Sequence, residues 1–461
     1  MEAHNPERRT DDNLDDEERA LLGGAYYRLV IDEGPGGPDY DENFEEIRHE
    51  LAIVRRLEWT ESQASITQDE TIAILDQAER SEAPWFCRET LEHAAAVFRD
   101  WQENPYDRSI PLILKDHAER RFIAKNSTAD HSYDPVTGSD FGEQGVTRKP
   151  SLCYRPIQHI RNSLPTLPLP LHNNANRHRT DDDDWSLLPT TLLHILRDDR
   201  PHPYTRFNVH ERLRQHILYT THPDLLGDYL AELSALLSGL ALPPETRKVV
   251  VFGMGRNMAE GDVVARAVAK GMEMFQNGVV GVVRDVLWAR RMFAGGQVGG
   301  GGGGGCGADG GEEEAREEEE QFMDIPCFVQ NDAYREVDAQ FHPVRGIKLL
   351  DDPLGFLEVD ETTVVVALAT YLPVRQIVTD IARPAVLLVT KVGETMPWYY
   401  ESVPREVNDP ISPRAWRVLT EEYVEVDFPP RPDGEPPIQA IYIRKRRVGG
   451  PVAQEQQQVM E

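Results

Sequence analysis

The stretch KVVVFGMGRN, Lys248 to Asn257, sets an unbroken apolar run directly before two glycines one residue apart. A run of this kind reads as a strand buried on both faces. A glycine at its end permits backbone angles closed to other residues, and a second lets the chain approach a ligand phosphate closely. Gly253 and Gly255 meet that much. The full dinucleotide fingerprint also asks for a third glycine, where Met258 stands, and for an acidic residue about 20 positions on to hold a ribose. That third glycine is absent and no acid at that distance ends a strand, so the turn is half a nucleotide motif, and a tight structural turn explains it as well.

Downstream, short β-rich runs alternate with helical patterns. A helix is expected after the glycines on Val264, Val268 and Phe275. PCFVQ from Pro326, GIKLL from Gly346, TTVVVALA from Thr362 and AVLLVT from Ala385 read as strands, with YREVDAQF and PVRQIVTDIA as helices between them. Strand, helix, strand in series implies parallel pairing with right-handed crossovers. Ser412 and Pro413 read as N-cap and first residue of a helix striped by Trp416, Leu419 and Tyr423. IQAIYIRKRR from Ile438 then closes the sheet, expected at an edge where its basic end stays solvated.

Upstream, TQDETIAILDQAERS from Thr67 and ETLEHAAAVFRDW from Glu89 carry apolar residues at three and four spacing, as one-faced helices do. THPDLLGDYLAELSALLSG has Thr221 as candidate N-cap, a stripe through Leu226, Leu230, Leu233 and Leu237, and Gly239 as its stop. The fold class is α/β: a Rossmann-like, mostly parallel sheet flanked by helices, with an N-terminal helical elaboration and long disordered segments.

Those segments are the acidic start, the stretch near Gly34, the polar runs after Lys125 and before Trp185, and the tail after Val448. They hold too little apolar surface to offset the entropy of ordering. The clearest is Gly295 to Gln321, where seven consecutive glycines precede GEEEAREEEEQ, a flexible spacer carrying a charge run. The division is then 1–64 disordered or helical, 65–220 helical elaboration, 221–447 the Rossmann-like domain with its insertion at 295–321, and 448–461 a disordered tail.

Composition disfavours several function classes. With 79 acidic against 49 basic residues the formal charge is -30, so an encounter with nucleic acid or an anionic membrane begins with repulsion. The longest apolar run, Val364 to Ala369, falls far short of the ~20 residues a spanning helix needs. The acidic first twenty residues lack a signal-peptide core, and Cys87, Cys153, Cys306 and Cys327 show no paired spacing. A reduced cytoplasmic or nuclear setting is the expectation. Fourteen histidines occur with no H-x-x-x-H pair, so no metal is expected, and there is no G-x-S-x-G elbow. Arg444 to Arg447 read either as a nuclear import signal or as a solvated strand end.

In open α/β sheets ligands sit beyond the carboxyl ends of the strands, where the strand order reverses. That rim collects Gly253, Gly255 and Asn257, then Asn331, Asp332, Asp351 and Asp352, and Tyr371 to Arg375. Gly253, Gly255, Asn257, Asp332 and Asp352 are the candidate cofactor-binding residues, and a nucleotide or S-adenosylmethionine is the ligand class that such acceptors and glycines fit. Two acids compete for the ribose position. Asp332 lies 77 residues after Gly255, or 50 without the 27-residue insertion, and Asp285 lies 30 after it, behind a GVVGVV run that is strand or helix on periodicity alone.

VVVFGMGRN, PCFVQNDAYREVD, GIKLLDDPLGFLEVDETTVVVAL and LPVRQIVTDIARPAVLL together resemble the Sensitivity to Red Light Reduced-like (SRR-like) domain, in its fungal branch. The resemblance spans about Leu225 to Thr390 apart from the insertion. It implies a Rossmann-like domain with no established catalytic activity, in a family linked to light and circadian signalling in plants and, elsewhere, to haem homeostasis and microtubule-related processes. It favours CFVQ over GVVGVV as the second strand, and so Asp332 over Asp285. Family members outside this branch often carry a proline-histidine-cysteine phrase after the fourth strand. The matching place here reads Leu372, Pro373, Val374, Arg375, so chemistry needing that histidine or cysteine is absent.

Two function classes follow: a regulatory or interaction protein with protein partners, whose domain takes a small nucleotide-type ligand, and a nucleotide- or S-adenosylmethionine-dependent transferase. No general base or nucleophile stands out on the rim, which favours the first. Replacing Gly295 to Gln321 with a short Gly/Ser linker is expected to leave the melting temperature nearly unchanged, because Val298 and Cys306 are almost the only apolar side chains it removes. A large drop in a thermal melt would show that the segment packs.

Overall fold

The structure, a computed structural model, describes residues 68–81, 83–104, 110–115, 117, 121–124, 146–158, 160, 189–198, 205–222, 226–253, 263–295, 325–331, 341–368, 370, 372–393, 409–430 and 437–446. In chain order its elements are α1 (Gln68–Arg80), α2 (Arg88–Glu103), β1 (Leu112–Lys115), β2 (Arg121–Ala124), β3 (Val146–Tyr154), β4 (Thr190–Asp198), α3 (Thr205–Thr221), α4 (Asp228–Gly239), β5 (Lys248–Phe252), α5 (Val263–Gly295), β6 (Cys327–Gln330), β7 (Ile347–Leu350), α6 (Leu354–Leu357), β8 (Thr363–Ala367), α7 (Val374–Ile381), β9 (Val386–Thr390), α8 (Pro413–Glu422), β10 (Tyr423–Asp427) and β11 (Gln439–Arg444).

Seven strands form one sheet in the order β10-β11-β9-β8-β5-β6-β7. β5 pairs in parallel with both β6 and β8, and β6–β7 and β8–β9 are parallel too. β11 runs antiparallel to both of its neighbours. The chain thus winds outward from β5 to β6 and β7, returns, and winds the other way through β8 and β9. This makes the gap between β5 and β8 the topological switch point.

Alternation along the strands divides the core in two. Val250, Phe252, Val365, Ala367, Leu387 and Val389 enter one cluster, with Leu91, Phe98 and Trp101 of α2 and Val378 and Leu419 of α7 and α8. Val249, Val251, Val364, Val366 and Leu388 enter the other, with Leu230 and Leu233 of α4 and Val279 and Val283 of α5. Residues buried on both faces are why these strands read as continuous apolar runs.

Some expectations hold or are decided between, and others meet corrections. GVVGVV is helix: α5 runs 33 residues through it, with Val279, Val280, Val283, Val286 and Leu287 on its buried side. CFVQ is the strand beside β5. Thr221 is the last residue of α3, and α4 starts later, behind Gly227; its leucine stripe is buried, and it stops at Gly239 as expected. Ser412 does cap α8, its Oγ accepting from Ala415 N at 3.1 Å. Tyr423, expected on that helix, instead opens β10, which takes the edge and leaves β11 inside the sheet. The region 65–220 also holds β1–β4, which the helical patterns gave no hint of. β3 pairs with β4 across 35 intervening residues, and a pairing so remote leaves no local signature.

His216 of α3 is half-buried, edge-on to Phe341 at 6.3 Å, and its Nδ1 has no hydrogen-bond partner among the described residues. Burial, and secondarily the Arg345 guanidinium, depress it from 6.5 to about 4. An imidazole with a depressed value is proton-free in the folded chain while the unfolded chain still binds one, so stability is lost as pH falls from about 6.5 to about 4. The loss is up to about 3 kcal/mol from this group. Asp380, raised to about 6 by burial, contributes with the opposite sign over much of that window. The difference between parent and His216→Gln in urea unfolding therefore isolates the histidine. The stability of the parent relative to the variant is expected to fall as pH drops from 7 to 4.5, and a pH-independent difference would overturn the assignment.

Candidate functional site

The carboxyl end of β5 meets the loop after β8 at Gly253. Its φ is +68°, and an added Cβ would stand 2.8 Å from the Thr370 Cα and 2.9 Å from its Cβ. Backbone conformation and close approach both require glycine at this point. The Thr370 hydroxyl accepts from Leu372 N at 3.0 Å, closing the turn that leads into α7. Gly253 N in turn donates to Gln330 O at 3.3 Å, tying the switch point to the end of β6.

Gln330 is fully buried and carries the link onward. Its Nε2 donates to Asp352 Oδ1 at 2.7 Å and its Oε1 accepts from Gly355 N at 2.7 Å. A Cβ on Gly355 would come within 2.6 Å of Gln330. Asp352 itself is 5 % exposed. Beyond Gln330, its carboxylate accepts from the Tyr154 hydroxyl at 2.5 Å, from Leu152 N at 2.6 Å and from the Ser151 hydroxyl at 3.1 Å. A carboxylate offers about four lone-pair sites, and Gln330, Tyr154, Leu152 and Ser151 among the described residues donate to them. Asp352 therefore joins β3 to the rim.

A second rim acid is likewise engaged within the chain. Arg375, in the first turn of α7, donates from Nε to Asp409 Oδ2 at 2.9 Å, from Nη1 to Thr390 O at 3.2 Å and from Nη2 to Asp409 O. Asp409 also accepts from Arg375 N at 3.2 Å, placing a carboxylate on the helix N-terminus. Burial pushes the Asp409 carboxyl up against the opposing pull of Arg375.

Of the candidate residues, the structure thus brings Gly253 and Asp352 together through Gln330. Gly255, Asn257 and Asp332 lie outside the described residues. Asp285 is exposed on α5, far from any strand end in sequence. Asn331 and Asp351 stand at the ends of β6 and β7, as expected of the rim. Sequence reading missed Gln330, Ser151, Tyr154 and Asp409. Only Gln330 left a signal, a polar residue closing an otherwise apolar strand. Among the described residues no group of histidine, cysteine and carboxylate side chains could hold a metal, and no helix is long and apolar enough to cross a membrane.

A cleft of about 1180 Å³ lies at the opposite, amino end of the parallel strands, lined by Arg88, Arg383, Arg444 and Lys445 among others. Its cations serve helix ends. Arg88 donates to Leu357 O, at the last residue of α6, and to Val359 O just beyond it, at 3.1 and 2.7 Å. Arg383 donates to Thr379 O of α7 and to Ala382 O at its C-cap. Lys445 donates to Thr420 O and Glu421 O of α8, at 3.3 and 2.8 Å. Cations on helix C-termini offset the negative end of the dipole. Arg444, bound to Glu245 at 2.6 Å, and Lys445 thus belong to the fold, which supports the strand-end reading of the basic run.

Asp352→Ala is expected to destabilise by about 3 kcal/mol or more in urea unfolding, because it strands buried donors of Leu152 and Gln330 and cuts β3 from the sheet. A change below about 1 kcal/mol would show that the four hydrogen bonds carry little.

Comparison with protein-family models, with curated proteins and with solved structures finds no match to this chain.

Proposed function

We propose that this chain is an SRR-like regulatory or interaction protein whose Rossmann-like sheet binds a small nucleotide-type ligand at the crevice between β5 and β8. The observation that carries the reading is the switch point itself. The sheet order reverses at β5, and Gly253 there is closed down by Thr370 at the strand's carboxyl end, where open α/β sheets take their ligands. The sequence phrases supply the family part of the proposal. That Asp352 and Asp409 are spent on the fold supports binding over catalysis, since neither is poised as a base.

A transferase dependent on S-adenosylmethionine is the second reading, and one observation favours it. The order β7-β6-β5-β8-β9-β11-β10, with β11 alone reversed, is the arrangement on which many Rossmann-like methyltransferases are built. This is analogy at the level of fold, where function does not follow from architecture.

A thermal-shift series of the full chain against nucleotides and S-adenosylmethionine tests both. A ligand at a hundred times its dissociation constant is expected to stabilise by about 2.7 kcal/mol. Asp332→Asn keeps the shape of a turn but removes the charge and an acceptor oxygen, so it is expected to leave the unliganded stability within about 0.5 kcal/mol and to shrink the ligand-induced shift. If no compound shifts the parent at millimolar concentration, the ligand reading fails and the glycine turn is structural. A shift by S-adenosylmethionine alone selects the second reading.

A further inference from the structure

Asp380 is the penultimate residue of α7, and its side chain is 2 % exposed. An ionised carboxylate there meets two costs, the loss of water and the negative end of the helix dipole. Against them stand three donors. Trp85 N and Phe86 N, in the connection between α1 and α2, donate to Oδ2 at 2.9 and 3.0 Å, and Arg414 Nε of α8 donates to Oδ1 at 2.7 Å. Trp85 and Phe86 are themselves buried. The connection that supplies two of the donors therefore also keeps water off the acid, and lifting it away rehydrates the carboxylate.

The other charged and titratable groups on the elements packed here have partners of their own. Arg88 of α2 bonds to Leu357 O and Val359 O, Arg417 of α8 to Ser81 O at 3.4 Å, Arg80 of α1 to Asp76, and Arg383 beyond α7 to Glu422 at 3.0 Å. The exposed Cys87 thiol lies 3.4 Å from Thr90 Oγ1. Arg155 enters through its carbonyl, which accepts from Trp85 Nε1 at 3.0 Å. His117 stacks on Trp85 at 4.0 Å, with its Nε2 3.1 Å from Trp85 O, and is the rival sensor on this connection.

We propose that Asp380 is a pH-sensitive latch between the N-terminal layer and the sheet, with Trp85 and Phe86 docked most firmly while the carboxyl holds a proton and released more often once it ionises. The neutral acid keeps both amide bonds, because its carbonyl oxygen has two lone pairs, and its hydroxyl oxygen still has acceptor capacity for Arg414. Protonation thus removes a buried charge without removing an acceptor from the connection. Burial pushes the carboxyl from 3.8 up to about 6, against the pull of Phe86 N, Arg414 and Trp85 N. A raised value means that the docked form holds its proton more tightly than the hydrated, undocked form. The added stability of docking is therefore complete below about 3.8 and is lost as pH rises through about 6. Between pH 5 and pH 7.5 this changes the opening equilibrium about tenfold.

Hydrogen exchange of the full chain, corrected for intrinsic rates, reads that equilibrium at the Trp85 and Phe86 amides. Opening is expected to be about tenfold more frequent at pH 7.5 than at pH 5. Asp380→Asn, neutral throughout, should reduce the difference to less than twofold. Arg414→Gln provides a second reading that does not depend on the first variant folding. It removes the cation that holds the acid down, so the midpoint of the change should move to higher pH, which the loss of a merely structural contact would not do. His117→Gln should leave the tenfold difference in place. The latch is overturned by opening in the parent that is independent of pH or grows on acidification, by an Asp380→Asn variant that keeps the parent's pH dependence, by an unmoved midpoint in Arg414→Gln, or by loss of the dependence in His117→Gln, which would make the histidine the sensor.

Discussion

A parallel sheet has no face it can show to water. Each of β5, β8 and β9 alternates Val, Leu and Phe into two separate cores, so both sides must be covered or the sheet does not form. One side is closed by α4 and α5. The other needs more than its crossover helices α7 and α8, and the remainder comes from far upstream, from α1, α2, β1 and β3. The N-terminal region is therefore a layer of the domain, and its aromatic side chains Phe86, Phe98, Trp101 and Tyr154 are part of what makes the sheet stable.

Apolar contact alone would leave that layer free to slide, and buried carboxylates fix its register. Asp352 takes hydrogen bonds from three residues of β3, Ser151, Leu152 and Tyr154. Asp380, on α7, accepts from Trp85 N at 2.9 Å and Phe86 N at 3.0 Å while Arg414 of α8 donates at 2.7 Å. Burial raises Asp380 to about 6, so desolvation outweighs its donors, as is common for buried ions whose specificity matters more than their net energy. Arg88 adds a third tie, from the start of α2 to the backbone carbonyls that follow α6.

These ties explain what was legible in the sequence. The five parallel strands and helices α1, α2, α7 and α8 announced themselves through local periodicity or capping, Ser412 with Pro413 being the sharpest case. β3 and β4 did not, because what makes them strands is pairing with each other and with a carboxylate some 200 residues away. The sequence places the edge at IQAIYIRKRR rather than at YVEVD, the true edge, because YVEVD sits flush against a helix and alternates too briefly to stand out. At the candidate site the glycine and the aspartate-rich turn were visible, yet Asp352 proved to face inward. A short acidic run at a strand end looks the same in sequence whether its partner is a ligand hydroxyl or the chain's own tyrosine, and only the fold distinguishes them.

The position of Asp352 has a consequence for binding. It lies just past β7, on the same end of the sheet as Gly253, and Gln330 bonds to both. The N-terminal layer and the switch point are thus joined through one buried residue, Gln330, by its side-chain amide on one side and its backbone carbonyl on the other. A ligand that binds only the assembled rim stabilises every contact on which the rim depends, by mass action. Loosening β3 removes three of the donors that hold Asp352, the carboxylate on which the Gln330 side chain rests, and the Gln330 backbone carbonyl is the acceptor for Gly253 N. Rim and layer therefore stand or fall as a unit, and a substitution in β3, remote in sequence from the glycine turn, acts on the same crevice.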